Sequence, residues 1–110
     1  MTLDEFENQV IAACAGSSIV VSVSLTGVGI TWLRIRAYLI DGSFLETFYN
    51  EVTGKTSFAL IMGDKRIFGA DNSGGWHWHL FEAPDEHVLA VEKIDFHVFL
   101  SRVEEYIKPT

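Results

Sequence analysis

The chain has 110 residues, of which 48% are hydrophobic and 13% aromatic, which is enough apolar material for the core of one domain spanning residues 1–110. Acidic residues outnumber basic ones 15 to 8, and the formal charge of −7 excludes a histone-like or polybasic membrane role. The single cysteine, Cys14, cannot form an internal disulfide and predicts a reducing, cytoplasmic setting. An acidic start and the lack of a long apolar run argue against a signal peptide or a membrane span.

Apolar residues recur every three to four positions near each end of the chain, which predicts two amphipathic helices. Thr2 and Glu5 are spaced as a capping box for the first helix, and Gly16 follows it as a stop. Asp95 is the predicted cap of the second helix, which ends before Pro109. The two apolar stripes are Leu3, Phe6, Val10 and Ala13, and Phe96, Phe99, Leu100, Val103 and Ile107.

Between the helices the hydrophobic period changes to two, which predicts strands. Asp41-Gly42 is a two-residue hairpin signal, and Gly54 and Gly63 mark further turns. The predicted strands cover 19–26, 30–40, 44–49, 56–62 and 66–70. The sequence therefore predicts an α+β domain, with a twisted antiparallel meander of about five strands and the two helices packed on one or two of its faces. Residues 71–90 have no clear period, and such a segment is often functional.

Histidines and tryptophans are concentrated in residues 76–87. If residues 76–80 are extended, His77 and His79 lie on one face and the tryptophans on the other, because successive side chains alternate. Two imidazoles at i and i+2 could bind a divalent metal ion together with His87 or Asp71. Alternatively, the imidazoles could act as general base and acid, oriented by Asp71, in the attack of a ribose hydroxyl on its own phosphate. A third possibility is that these histidines are only surface groups of an edge strand.

A second candidate set lies on one row of the strand at 30–40. It comprises Trp32, Arg34, Arg36 and Tyr38. Guanidinium groups pair with phosphate, and aromatic rings stack on unpaired bases, so the row suits single-stranded RNA, with Arg66 as a further phosphate contact. The competing interpretation is that the arginines pair with carboxylates of the acidic helices. His97 is predicted to lie on the helix surface, and Cys14 in the core.

The order of these motifs resembles the TumE-type toxins of prokaryotic toxin–antitoxin pairs over residues 30–107. The resemblance is carried by Arg34-Ile35-Arg36, Asp41-Gly42-Ser43-Phe44-Leu45, Ser57-Phe58-Ala59-Leu60, Lys65-Arg66-Ile67-Phe68-Gly69-Ala70-Asp71-Asn72 and Pro84-Asp85-Glu86-His87. The chain departs from that pattern at Gly74-Gly75-Trp76, where relatives carry a proline and adjacent histidines.

The resemblance implies a toxin that acts on RNA or translation and is silenced by a helix-turn-helix antitoxin encoded beside it. In that interpretation His77, His79, His87 and Asp71 form a ribonuclease site. Two alternatives stay open. One is a noncatalytic module that binds a protein partner or itself through exposed tryptophans. The other is a domain that binds a small ligand or a divalent metal ion through the three histidines.

Overall fold

Two helices frame a run of seven strands in the computed structural model, which describes residues 1–107 apart from the side chain of Pro84. The elements in chain order are α1 (Leu3–Ala15), β1 (Val20–Val28), β2 (Trp32–Leu39), β3 (Phe44–Asn50), β4 (Thr56–Met62), β5 (Lys65–Asp71), β6 (His77–Leu80), β7 (Ala83–Leu89) and α2 (Phe96–Tyr106). Neither helix is long and apolar enough to cross a membrane. Pro109, the expected stop after α2, lies outside the described residues.

The seven strands form one antiparallel sheet in which each strand pairs with its neighbours in sequence. The predicted α+β fold and the meander order are thus confirmed, with seven strands in place of five. The two additional strands, β6 and β7, arise from the segment 71–90 that shows no hydrophobic period.

Both helices pack on the same face of the sheet. The Phe58 ring on β4 lies 6.4 Å from the ring of Phe6 on α1 and 5.3 Å from the ring of Phe99 on α2. These rings belong to the buried core. The opposite face, which we call the open face, has neither α1 nor α2 over it. Side chains alternate along a strand, so every second residue of β2 to β6 lies there.

The predicted helix caps are present. Thr2 Oγ1 accepts the Glu5 amide at 3.1 Å, and Glu5 Oε1 accepts the Thr2 amide at 2.9 Å, completing the capping box. Asp95 Oδ1 accepts the Val98 amide at 2.9 Å and caps α2. These local bonds satisfy amide groups that have no partner within the helix.

The hairpin between β2 and β3 has a three-residue loop, not the two-residue loop that Asp41-Gly42 predicts. Leu39 N–H donates to the Ser43 carbonyl at 2.9 Å, and Gly42 has a φ of +87°. A turn that ends in a left-handed glycine is the usual form of a three-residue hairpin loop. The change moves the pairing by one residue and places Arg36 opposite Glu46.

Strand β1 departs from the predicted pattern. Alternation predicts that Val21 and Leu25 are buried, but they are 67% and 51% exposed. Register shifts between Val20 and Ser22 and between Leu25 and Gly27 break the alternation. β1 is also an edge strand and continues through Val28, two residues beyond the predicted end of the strand at residue 26.

Candidate functional site

The three histidines of β6 and β7 converge on the open face beside the end of β5. Asp71 is paired with His77, and Gly69 with His79, in the register of β5 and β6. The His87 ring lies 4.5 Å from the ring of His77 and 4.5 Å from the ring of His79, and these last two are 4.9 Å apart. The alternation within β6 therefore explains two imidazoles of the cluster, and the β6–β7 hairpin brings the third.

The Asp71 carboxylate links two of these rings. His79 Nε2 donates to Asp71 Oδ2 at 3.0 Å, and Arg66 Nη2 lies 3.4 Å from His79 Nδ1. Because a carboxylate can only accept, His79 carries its proton on Nε2 and presents a lone pair toward the guanidinium. Asp71 thus contacts an imidazole as the predicted orienting role requires, and the role itself stays a prediction.

His77 has a different set of neighbours. Its Nδ1 donates to the Gly75 carbonyl at 3.0 Å. Its Nε2 lies 3.3 Å from Asp71 Oδ1, but the angles are not those of a hydrogen bond. We therefore treat this contact as electrostatic proximity. Within residues 1–107, His77 Nε2 is the one buried side-chain polar atom that lacks a hydrogen-bond partner, which is rare in native proteins and calls for an explanation.

Burial separates the three imidazoles. His77 and His79 are only 4% and 3% exposed, whereas His87 is exposed and stacks on His77 with an angle of 22° between the ring planes. The possibility that the histidines are only surface groups of an edge strand is therefore wrong for His77 and His79. His87 is the one imidazole of the cluster that a solute can reach.

The site holds Asp71 in its ionised form. Burial by itself raises the pKa of this carboxyl, but the hydrogen bonds from His79 and the Ser73 amide, with the neighbouring imidazoles, outweigh burial and lower the pKa below its ordinary value. A partly buried negative charge thus lies between two imidazole nitrogens.

Gly69 fits between the cluster and the neighbouring strand. A Cβ atom at this position would lie 3.0 Å from the Phe58 carbonyl oxygen and 3.7 Å from His79 Cδ2. A larger residue would therefore press on the backbone of β4 and on the Arg66 side chain, whose Cδ atom would lie 3.2 Å from the added Cβ, and would make only ordinary contact with the His79 ring. The sequence pattern did not identify this glycine or the Gly75 carbonyl as part of the site. Gly69 lies two residues before Asp71, and Gly75 lies two residues before His77. This spacing was the sequence signal that could have identified them.

The arginine row also lies on the open face, but its partner differs from the predicted one. Arg36 Nη2 lies 2.8 Å from Glu46 Oε2, and Arg34 Nε lies 3.4 Å from Glu46 Oε1. The prediction that helix carboxylates pair with these arginines is wrong, because the helices occupy the other face. Phe44 and Phe48 on β3, which the sequence pattern did not single out, lie under the guanidinium groups of Arg36 and Arg34.

The aromatic residues divide between the two faces. Trp32 stacks on Phe48 on the open face, with the Arg34 guanidinium 5.4 Å from its ring, and Tyr38 is 38% exposed. Trp76 and Trp78 pack against the core. These two tryptophans are therefore not the free anchors that a protein-binding role was expected to use.

A lateral row of paired residues connects the two candidate sets. It runs Arg36, Glu46, Ala59, Gly69, His79 across β2 to β6. Four strand spacings of about 4.8 Å separate its ends by roughly 19 Å. The arginine–aromatic row and the histidine cluster thus share one face, with Glu46 and the small residues Ala59 and Gly69 between them.

Two remaining predictions concern residues away from the open face. His97 is exposed on α2, as predicted. Cys14 is buried, also as predicted, and burial raises the pKa of its thiol to about 11. A thiol in this environment is not a candidate nucleophile.

Comparisons with family models, curated proteins and solved structures find no match to this chain. The fold and the site define the class on their own: an α+β protein with a helix-covered meander and an imidazole–carboxylate cluster on its open face.

Proposed function

We propose that the chain is a cytoplasmic, RNA-directed toxin of the TumE type, which cleaves phosphodiester bonds at the histidine cluster and is silenced by a helix-turn-helix antitoxin. The observation that carries this proposal is that three imidazoles and an ionised carboxylate share the open face with an arginine–aromatic row. Proton transfer and phosphate contact are the two requirements for cleaving RNA through its own 2′-hydroxyl.

His87 is the group in the cluster that can touch a substrate. In the proposed reaction it accepts the proton of the 2′-hydroxyl as the new bond from that oxygen to phosphorus forms. It returns the proton to the 5′-oxygen as the old phosphorus–oxygen bond breaks. The products are a 2′,3′-cyclic phosphate and a free 5′-hydroxyl. Arg66, which is exposed, would face the charge that develops on the phosphate.

The buried imidazoles serve this reaction by position. His77 and His79 lie beneath the His87 ring, and Asp71 fixes the tautomer of His79. A negative charge beneath the rings attracts the positive charge that His87 carries after taking the proton. In the proposal His77, His79 and Asp71 are therefore positioning residues. Of the four residues of the predicted ribonuclease site, only His87 transfers a proton to or from the substrate.

The charge of the chain sets the expected affinity. Residues 17–80, which include all of β1 to β5, contain five basic and five acidic side chains, while the excess negative charge lies in residues 1–16 and 81–110. Glu46 also offsets part of the charge of Arg34 and Arg36. We therefore expect weak RNA binding that depends on stacking and falls as salt rises.

Expression in a bacterial host tests the biological role. The chain should arrest growth alone, and growth should recover when an adjacent antitoxin-like gene is expressed with it. Harmless expression without loss of RNA would contradict the proposal.

Cleavage of single-stranded RNA by the purified protein tests the chemistry. His87→Ala should lower the rate at least about 100-fold, since positioned proton transfer contributes about 10²–10⁴-fold. His97→Ala is the matched control, because it removes an exposed histidine on the helix side and should leave the rate unchanged. Equal rates for the two variants would refute the role of His87.

A further inference from the structure

We infer that His77, His79 and His87, together with Asp71, bind one first-row divalent cation of the zinc class. The inference does not depend on the proposed RNA cleavage, because a metal ion can be bound by this cluster whether or not RNA is a substrate.

The spacing of the donor atoms is the first argument. One nitrogen from each of the three imidazoles lies within 4.8 Å of the other two. Zinc binds imidazole nitrogen at about 2.0–2.1 Å, so two ligands of a tetrahedral ion are separated by roughly 3.4 Å. The Asp71 oxygens lie 3.3 Å from His77 Nε2 and 3.0 Å from His79 Nε2. A metal ion bound at His79 Nε2 displaces the proton that this nitrogen donates to Asp71, and the neutral ring then carries its proton on Nδ1. The exposed His87 ring, which lies 4.5 Å from each of the other two rings, supplies the third imidazole nitrogen.

The orientation of His77 is the second argument. Because Nδ1 donates to the Gly75 carbonyl, the lone pair of the neutral ring lies on Nε2, which is buried and lacks a hydrogen-bond partner. A metal-binding histidine is commonly held in this way, with its other ring nitrogen donating to a backbone carbonyl. His77 Nε2 lies 3.3 Å from Asp71 Oδ1 without a hydrogen bond to it, and a cation between the two atoms would bond to both.

The donor types indicate which cations would bind. Three imidazoles and one carboxylate suit zinc, nickel or copper, whereas magnesium and calcium prefer oxygen ligands throughout. The buried position of His77 and His79 also fits a metal ligand better than a group that must meet a large polyanion. The exposed His87 leaves one side of the site reachable, as a site that exchanges a ligand requires.

Calorimetric titration of Zn²⁺ into the tag-free, EDTA-treated full chain tests the inference. We expect saturable binding of one ion per chain and no binding of Mg²⁺ under the same conditions. Absence of saturable zinc binding, or equal binding of Mg²⁺, would overturn the inference.

Two variants locate the ion. His87→Ala removes an exposed ligand and should weaken zinc binding at least tenfold, while His97→Ala should bind as the parent chain does. His77→Gln keeps a donor for the Gly75 carbonyl but has no imidazole nitrogen. It should also bind zinc more weakly, while its circular dichroism spectrum stays that of the folded parent chain. If His77→Gln does not fold, the His87→Ala titration decides. Unchanged affinity in His87→Ala would refute the site.

The titration contains no RNA, so the two proposals can fail separately. Zinc binding without RNA cleavage would contradict only the proposed function. RNA cleavage by a chain that binds no zinc would contradict only the metal site.

Discussion

Replacing Asp71 with asparagine tests whether the carboxylate stabilises the histidine cluster. In the native chain Asp71 accepts hydrogen bonds from His79 Nε2 and from the Ser73 amide. Asparagine has nearly the same shape but one acceptor oxygen, and its amide nitrogen must face one of these two donors. Either the His79 Nε2–H group or the Ser73 amide therefore loses its hydrogen-bond acceptor.

The expected cost follows from that lost acceptor. Leaving a buried donor unsatisfied costs about 1–3 kcal/mol. Asp71 is 19% exposed, and solvent relieves part of this cost, so we expect Asp71→Asn to lower the free energy of unfolding by about 1–2 kcal/mol at neutral pH. For a chain of this size that loss corresponds to a melting temperature lower by about 4–8 °C.

The pH dependence supplies a second and sharper test. The folded-state pKa of Asp71 is lower than its ordinary value, so its charge stabilises the native chain above about pH 4, the region of an unfolded aspartate. That stabilisation is lost as the pH falls through the folded-state pKa. The difference between the parent chain and Asp71→Asn should therefore shrink in acid.

Urea unfolding at about pH 7 and again below about pH 3.5 measures both quantities. Asp64→Asn is the matched control, since Asp64 is exposed in the turn between β4 and β5, and it should change stability by less than about 0.5 kcal/mol. If Asp71→Asn is destabilised by the same amount at both pH values, the electrostatic explanation is refuted. If the variant is as stable as the parent chain at neutral pH, the hydrogen-bond explanation is refuted as well.

Three further predictions concern the scaffold. Phe99, which is fully buried, packs against the rings of the core, and Phe99→Ala should cost about 3–5 kcal/mol in urea unfolding; a loss under about 1 kcal/mol would mean that α2 is not part of the core. Gly42 has a φ of +87°, and a Cβ atom at this position would meet no other atom within 4 Å. Gly42→Ala should therefore lower the free energy of unfolding by about 1 kcal/mol through backbone strain alone. Gly16→Ala, at an ordinary φ, should lower it by less, and equal losses for the two variants would contradict the explanation. Iodoacetamide at about pH 8 should modify Cys14 far more slowly in the native chain than in urea, because burial raises the pKa of the thiol to about 11; equal rates would show that the thiol is accessible.

Features set by neighbours in sequence could be predicted, and features set by register could not. The Thr2–Glu5 capping box and the Asp95 cap depend on three-residue spacings, and both are present. Glu46 was missed because a two-residue loop would place Thr47 opposite Arg36. The three-residue loop shifts the pairing by one position, and such a shift exchanges the two faces of a strand.

In the histidine cluster, too, the local pattern could be predicted from the sequence and the strand register could not. Alternation alone placed His77 and His79 on one face. The four-residue strand β6 is too short to show a period, and it is stabilised by pairing with β5 and β7. A register shift in the β6–β7 pairing accompanies the position of His87, and nothing in the local sequence signals it.

The two proposals for the open face make competing demands on the same lone pairs, which yields a last prediction. Proton transfer by His87 requires a ring nitrogen that can gain and lose a proton, and a bound zinc ion would occupy that nitrogen. If both proposals hold, one equivalent of Zn²⁺ should inhibit RNA cleavage and EDTA should restore it, with no such response from background cleavage by His87→Ala. Acceleration by zinc would mean that the imidazoles act as ligands and not as proton carriers, because a metal-bound water would then be the base. The acid–base assignment of His87 would be wrong in that case, while the metal site would stand.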